Sequence, residues 1–144
     1  MSGKTTEITA LWKGGLEFEA ANTQGASVRM APPSENPSLA PMELVLIALA
    51  GCTGMDTADI LRKKRQAVET LEVRVRGTRT EDHPRVYAGI EVEYILSGKD
   101  LQEEAVARAI ELSITKYCSV GAMLSPSVPI RTSYRIVPGK EAAP

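Results

Sequence analysis

Apolar residues alternate with polar ones at Ile8, Ala10 and Trp12, and again at Leu16, Phe18 and Ala20, with Gly14-Gly15 between the two runs. Period-two alternation on either side of a glycine pair predicts two strands joined by a tight turn. Ala26, Val28 and Met30 predict a third short strand. Pro32-Pro33, Asn36-Pro37 and Pro41 then forbid regular structure before about position 40.

From Pro41 to about Arg65 the pattern turns helical. Pro41 suits a first turn, Glu43 the positive end of the helix dipole, and Arg62 to Arg65 its negative end. Leu44 to Ala50 is apolar on every side, so this helix must be surrounded by protein, either its own sheet or another subunit. That run is far shorter than the roughly 20 residues that cross a bilayer, and Glu43 sits at its edge, which predicts a buried helix rather than a membrane anchor.

Leu71, Val73 and Val75 alternate with charged neighbours, as do Ile90, Val92, Tyr94 and Leu96, predicting a second hairpin about Asp82-His83-Pro84. Asp100 and Glu103 resemble a capping pair. Val106, Ala109, Ile110, Leu112, Ile114 and Tyr117 then carry a second helix into Cys118. Ile130, Thr132, Tyr134 and Ile136 predict a final strand, and residues 138–144 a loose tail. Strands, helix, strands, helix and strand in that order argue for an α+β domain rather than a strictly alternating parallel α/β sheet.

At 144 residues and 43% hydrophobic content, the chain is the size of a single domain, 1–144, with enough apolar material for a core. Seventeen basic against eighteen acidic side chains give a net charge of −1, which supplies no electrostatic reason to expect nucleic acid or an anionic membrane as partner. The expected partner is a small molecule. A first stretch without the apolar run of a secretory signal, and two widely separated cysteines, predict a cytoplasmic protein.

The chemistry rests on those two thiols. Cys52 lies in Ala-Gly-Cys-Thr-Gly inside the long helix, and Cys118 in Lys-Tyr-Cys-Ser-Val after the second, so neither forms a short-spaced metal-ligand pair. A thiolate is the reactive form of cysteine. Lys116 and a short helix starting at Ser119 favour ionisation of Cys118, whereas Asp56, one turn beyond Cys52, opposes it there if it faces the thiol. A thiolate that attacks a peroxide becomes a sulfenic acid, which a second thiol converts to a disulfide that an external dithiol reduces. From spacing alone, two buried small hydrophobes are the simpler reading.

Other residues carry weaker signals. His83 reads as a surface residue of a polar turn and Arg62 to Arg65 as a solvated helix end. Asp56 reads as a partner of Thr53 or Arg62 before a catalytic group. Gly51 and Gly54 flank Cys52 and mark either close backbone packing or room for a substrate.

Ser38-Leu39-Ala40-Pro41-Met42-Glu43-Leu44 leading through Ala48-Leu49-Ala50-Gly51-Cys52, the paired strands that follow, and Lys116-Tyr117-Cys118-Ser119-Val120 resemble the family of osmotically inducible protein C (OsmC) and the organic hydroperoxide resistance proteins (Ohr). The resemblance covers nearly the whole chain, and its wording at Pro-Met-Glu-Leu and Gly-Cys-Thr-Gly is that of a less characterised branch. It implies an intertwined homodimer in which sheets wrap two long central helices, with a thiol site near the subunit interface. It also implies an antioxidant oxidoreductase of the oxidative stress response: Cys52 attacks an organic hydroperoxide, Cys118 resolves the sulfenic acid, and a dithiol such as a lipoyl group recycles the enzyme without metal or prosthetic cofactor.

In the family an Arg and a Glu orient the thiolate. The corresponding glutamate position is Met42, with Glu43 beside it, and the nearest arginine is Arg29. Glu43 stands nine residues before Cys52, about 13 to 14 Å along a regular helix and roughly on the opposite face. It therefore serves Cys52 only if the helix breaks or if the thiol belongs to another subunit; otherwise it is a first-turn carboxylate. The alternative function is non-catalytic binding of a small apolar or thiol-bearing ligand at the dimer interface.

Overall fold

The computed structural model of the protein describes residues 3–34 and 36–139. Its contacts divide the chain into two compact units, Met1–Val45 and Leu46–Pro144. Two three-stranded sheets and three α-helices make the fold α+β.

The first unit is an antiparallel meander of β1 (Ile8–Gly14), β2 (Glu17–Asn22) and β3 (Ser27–Met30), in sheet order β1-β2-β3. Gly14 and Gly15 both take positive φ, 107° and 55°, which is why the first turn falls on that pair. Asn22 closes the second turn, its side-chain oxygen accepting from the backbone N–H groups of Gln24 and Ala26. The proline-rich stretch after β3 has no strand or helix, apart from a single parallel bridge between Met30 and Leu39. This small sheet leaves Ile8, Leu11, Trp12 and Leu16 exposed, Trp12 to 66%.

Helix α1 (Pro41–Lys63) starts at the end of the first unit and runs unbroken for 23 residues. Its carboxylate at Glu43 accepts the backbone N–H of Ala40 at 2.8 Å, half of a capping box, and so has a structural role at the helix start. At the other end Arg62 and Lys63 both pair with Asp59, at 2.8 and 2.9 Å. Arg65 then closes the helix at φ 57°, with Gln66 N–H on Leu61 C=O and Arg65 N–H on Arg62 C=O, a Schellman arrangement without its usual glycine.

Of the burial expected all round α1, from its own sheet or another subunit, the chain itself supplies one stripe. Leu49, Thr53, Thr57 and Leu61, spaced by four, are buried, while Ile47 and Met55 stay exposed at 47% and 75%. By length and composition α1 is apolar enough to cross a membrane. Its buried stripe nevertheless contains two threonines, one of them hydrogen-bonded to protein side chains, as in a protein core.

The second unit packs that stripe against a sheet of order β4-β5-β6, formed by β4 (Ala67–Arg79), β5 (Tyr87–Lys99) and β6 (Ile130–Ile136). The predicted hairpin is present and longer than its apolar alternation suggested, with Asp82-His83-Pro84 exposed in the connection. Ile90, Val92, Tyr94 and Leu96 of β5 point inward and form the core with Val106, Ala109 and Ile110 of α2 (Glu103–Leu112). Strand β6 pairs parallel to β5 because the helical segment between them carries the chain back across the sheet. A Cβ at Gly77 would lie 2.5 Å from the Tyr87 ring, so only glycine fits there.

Two local expectations change. The α2 start is Gln102, whose side chain makes no cap, and Asp100 instead takes a left-handed turn at φ 54°. Gln102 is anchored from outside the helix, its N–H donating to the Gln66 side chain at 2.9 Å. The second helix also does not reach Cys118 as a regular α-helix: Ser113–Tyr117 forms a π-helical turn in which Cys118 N–H reaches back five residues to Ser113 C=O at 2.7 Å. Within that turn Thr115 donates its hydroxyl to Glu111 C=O at 2.6 Å, four residues back. The tail expected over 138–144 lies outside the described residues from position 140 onward.

Candidate functional site

The π turn sets the geometry of the site. Its wider winding turns Ser113 into the core and delivers Cys118 as the extended N-cap of α3 (Ser119–Leu124), where the sulfur accepts the backbone N–H of Gly121 at 3.3 Å. Gly121 is itself buried against that sulfur, and a Cβ there would lie 3.3 Å from it. Cys118 is 2% exposed.

Facing it are two residues of α1, Cys52 and Asp56, which share a helix face through their four-residue spacing. The reactive atoms of Cys52, Asp56 and Cys118 all lie within 4.8 Å of one another. Both cysteines are free thiols, Cys52 half-buried and Cys118 buried. Burial, together with the neighbouring Cys52 and Asp56 side chains, pushes the Cys118 thiol up to about 11 against the pull of the Gly121 N–H. Cys118 thus keeps its proton at neutral pH, with its sulfur within 4.8 Å of that of Cys52.

A chain of buried hydroxyls ends on the same carboxylate. Ser113 Oγ donates to Asp56 Oδ2 at 3.0 Å, so its lone pairs are left to accept from Thr53 Oγ1 at 2.7 Å, and Thr53 in turn accepts from Tyr94 O–H at 2.6 Å. One proton per hydroxyl fixes the direction as Tyr94 to Thr53 to Ser113 to Asp56. Burial pushes the Tyr94 phenol up to about 12, so it remains a donor. The partners first expected for Asp56 are therefore replaced: Ser113 takes the place of Thr53, and Arg62 pairs with Asp59 instead.

Sequence reasoning singled out the two thiols and Asp56 and named Thr53 as a partner of Asp56, but missed Ser113 and Tyr94. The signal was present. Ser113 continues the inward series Val106 and Ala109 or Ile110, and Tyr94 belongs to the inward series of β5, so each is a polar group at a core position that needs a partner.

The other expected contributors have partners of their own. Lys116 stacks over the Tyr117 ring at 5.3 Å from its centroid. Arg29, in the first unit, pairs with Glu17 at 3.6 Å and donates to Pro37 C=O at 3.2 Å. Glu43 is engaged at the start of α1, and since that helix is unbroken, a break that would bring Glu43 onto Cys52 of its own chain does not occur. Gly51 faces open space, while a Cβ at Gly54 would lie in ordinary contact with Val73, so the two glycines divide the roles of room and packing. A cavity of about 340 Å3 opens beside Asp56, with Ile60, Leu112 and Tyr117 as apolar walls and Lys63 and Lys64 at its edge.

Comparison with known proteins places this architecture. The chain is 41% identical over 126 residues to Protein YhfA of Escherichia coli strain K12, covering 88% of this chain and 94% of that one. The crystal structure of a hypothetical protein from Aquifex aeolicus VF5 superposes with a TM-score of 0.85 at 33% identity, over 96% of this chain and all of the other. The organic hydroperoxide resistance protein OhrB of Bacillus subtilis shares the fold at a TM-score of 0.65 and 16% identity, over 92% of this chain and 98% of that one. The family model described as OsmC-like protein matches residues 34–133, which include both cysteines and the whole hydroxyl chain, and the protein belongs to that family.

Proposed function

We propose that the protein is a cysteine-based peroxidase that reduces organic hydroperoxides at the expense of an external dithiol. The convergence of its two thiols carries this reading. Cys52, half-buried, is the sulfur a substrate reaches; Cys118, buried and protonated, is the resolving thiol.

In the first step the Cys52 thiolate attacks the peroxide oxygen, the O–O bond breaks, and the alcohol leaves with a proton from solvent, giving Cys52 sulfenic acid. The Cys118 thiol then forms the S–S bond while the sulfenic oxygen departs as water. A dithiol, a lipoyl group being the proposed one, reduces the disulfide by exchange and is itself oxidised. No metal or prosthetic group takes part. Ile60, Leu112 and Tyr117, in the cavity beside Asp56, are the proposed contacts for the alkyl group of an organic peroxide.

The proposal includes a cytoplasmic homodimer. Apolar side chains exposed along α1 and the first sheet support it, and across such a dimer Glu43 is the proposed carboxylate for the second copy's thiol, with Arg29 the proposed cation. A second reading, ligand binding without turnover, is favoured by the carboxylate that faces the thiol pair where a peroxidase gains from a cation.

Intact mass after one equivalent of cumene hydroperoxide separates the two. Peroxidase chemistry removes two hydrogens from the chain, and Cys52→Ser abolishes both that loss and dithiol-dependent peroxide consumption while leaving the fold intact. Turnover retained in Cys52→Ser overturns the assignment.

A further inference from the structure

Three acidic groups meet at this site, and among the described residues no Lys or Arg forms an ion pair with Asp56. A carboxylate packed against two thiols places three potential anionic donors side by side, where a peroxide-reactive pair gains from a cation. The same arrangement is favourable around a cation.

We propose that Cys52, Asp56 and Cys118 form a binding site for a thiophilic divalent cation of the zinc class, whose occupation holds both sulfurs as thiolates and blocks the disulfide. The inference goes beyond the peroxidase reading: its cation is a reversible cap on the thiols, not a cofactor of turnover. Two thiolates and one carboxylate are a donor set that suits zinc, cobalt or cadmium and excludes magnesium and calcium, which take oxygen ligands. Tetrahedral coordination with Zn–S near 2.3 Å and Zn–O near 2.1 Å needs about 3.6 to 3.8 Å between donor atoms. The three atoms already lie within 4.8 Å, so closure takes a side-chain adjustment of at most about 1 Å.

The surrounding shell is that of a built site. Asp56 is held by the Ser113 hydroxyl at 3.0 Å, itself backed by Thr53 and Tyr94, and the Cys118 sulfur is held by Gly121 N–H at 3.3 Å. Such donors fix ligand orientation. Cys52 and Asp56 are half-buried, which leaves an entry path and a fourth position for water. Binding balances as one divalent cation exchanged for the two thiol protons, with the carboxylate coordinating unchanged.

The test is titration of the phosphine-reduced, metal-free protein with Co2+ under anaerobic conditions, followed by absorption spectroscopy. One Co2+ per chain should bind with a thiolate-to-cobalt charge-transfer band and tetrahedral d–d bands, and Zn2+ should displace it. Asp56→Asn should weaken Co2+ binding at least tenfold, Cys52→Ser should lose about half of the charge-transfer intensity per bound cobalt, and the surface control Asp59→Asn should match the wild type. Absence of a charge-transfer band in the wild type, or equal affinity in folded Asp56→Asn, overturns the inference. Peroxide consumption by the metal-free protein is measured separately: a chain that consumes peroxide without binding Co2+ refutes the cation site alone, and a chain that binds Co2+ without consuming peroxide supports the site while refuting the peroxidase.

Discussion

Thr53 and Thr57 stand one helical turn apart on the same buried stripe and have opposite hydrogen-bonding states. Thr53 Oγ1 bonds both Tyr94 and Ser113, whereas Thr57 Oγ1 is buried with no partner among the described residues. The same isosteric substitution should therefore change stability in opposite directions. Thr53→Val leaves the Tyr94 hydroxyl buried and unpaired and should cost about 2 kcal/mol, while Thr57→Val removes a desolvated hydroxyl and should gain up to about 1 kcal/mol. Urea unfolding midpoints of the reduced protein check both. Cys118 offers a second test at this scale. Its folded-state value, about 11, lies above the ordinary thiol value of 9.0, so the folded chain holds a proton there that the unfolded chain gives up sooner. Stability from this group is complete below pH 9 and is lost as pH rises from about 9 to 11, by about 1 to 2 kcal/mol once screening at the open side of the site is allowed for. Against Cys118→Ala under reducing conditions, wild-type stability should fall more steeply across that window. Equal slopes would mean that burial does not perturb this thiol.

At the scale of elements, α1 shows both what local sequence specifies and where it stops. Pro41, Glu43 and the basic residues at the far end predicted its limits to within two residues, because capping and dipole effects act within a single turn. The end itself is closed by Arg65 in a left-handed conformation, where glycine carries no Cβ penalty. Arg65→Gly should therefore stabilise the protein by about 0.5 to 1 kcal/mol, read from thermal or urea unfolding, since the gain in αL geometry outweighs the added chain entropy there. The α2 start was less legible. Asp100 and Glu103 have the composition of a cap, but the anchoring group is Gln66, 36 residues away, and a long-range partner leaves no trace in a local pattern. The π turn was hidden for a related reason: Ile114 and Tyr117 still satisfy helical spacing approximately, and a one-residue insertion in the winding shows only once Ser113 and Cys118 have partners. The thiols, the strands and the order of elements were readable because each follows from periodicity or residue type. The hydroxyl chain joins three elements far apart in sequence, and only the fold brings them together.

For the whole molecule, the distribution of apolar surface is the observation that a lone chain does not explain. Ile8, Leu11, Trp12 and Leu16 are exposed on the first sheet, and Ile47, Met55 and Met123 in the second unit. Met55 is three-quarters exposed, three residues beyond Cys52 on the unburied side of α1. Such surface in a chain of 15.5 kDa is consistent with association, and a second copy is the occupant the family resemblance implies. A charge at Met55 distinguishes the two situations. On an isolated chain, Met55→Glu lies in water on a helix that glutamate favours, so it should change stability by less than about 0.5 kcal/mol and leave the mass in solution unaltered. Across a dimer interface it buries an unpaired carboxylate, which costs several kcal/mol and should shift the sedimentation equilibrium from twice the chain mass toward one. We expect the second result, with the fold of the separated chain intact by circular dichroism. Peroxide turnover in the monomeric variant then shows whether Cys52 and Cys118 suffice within one chain, as their convergence supports, or whether Glu43 of a second copy is also required.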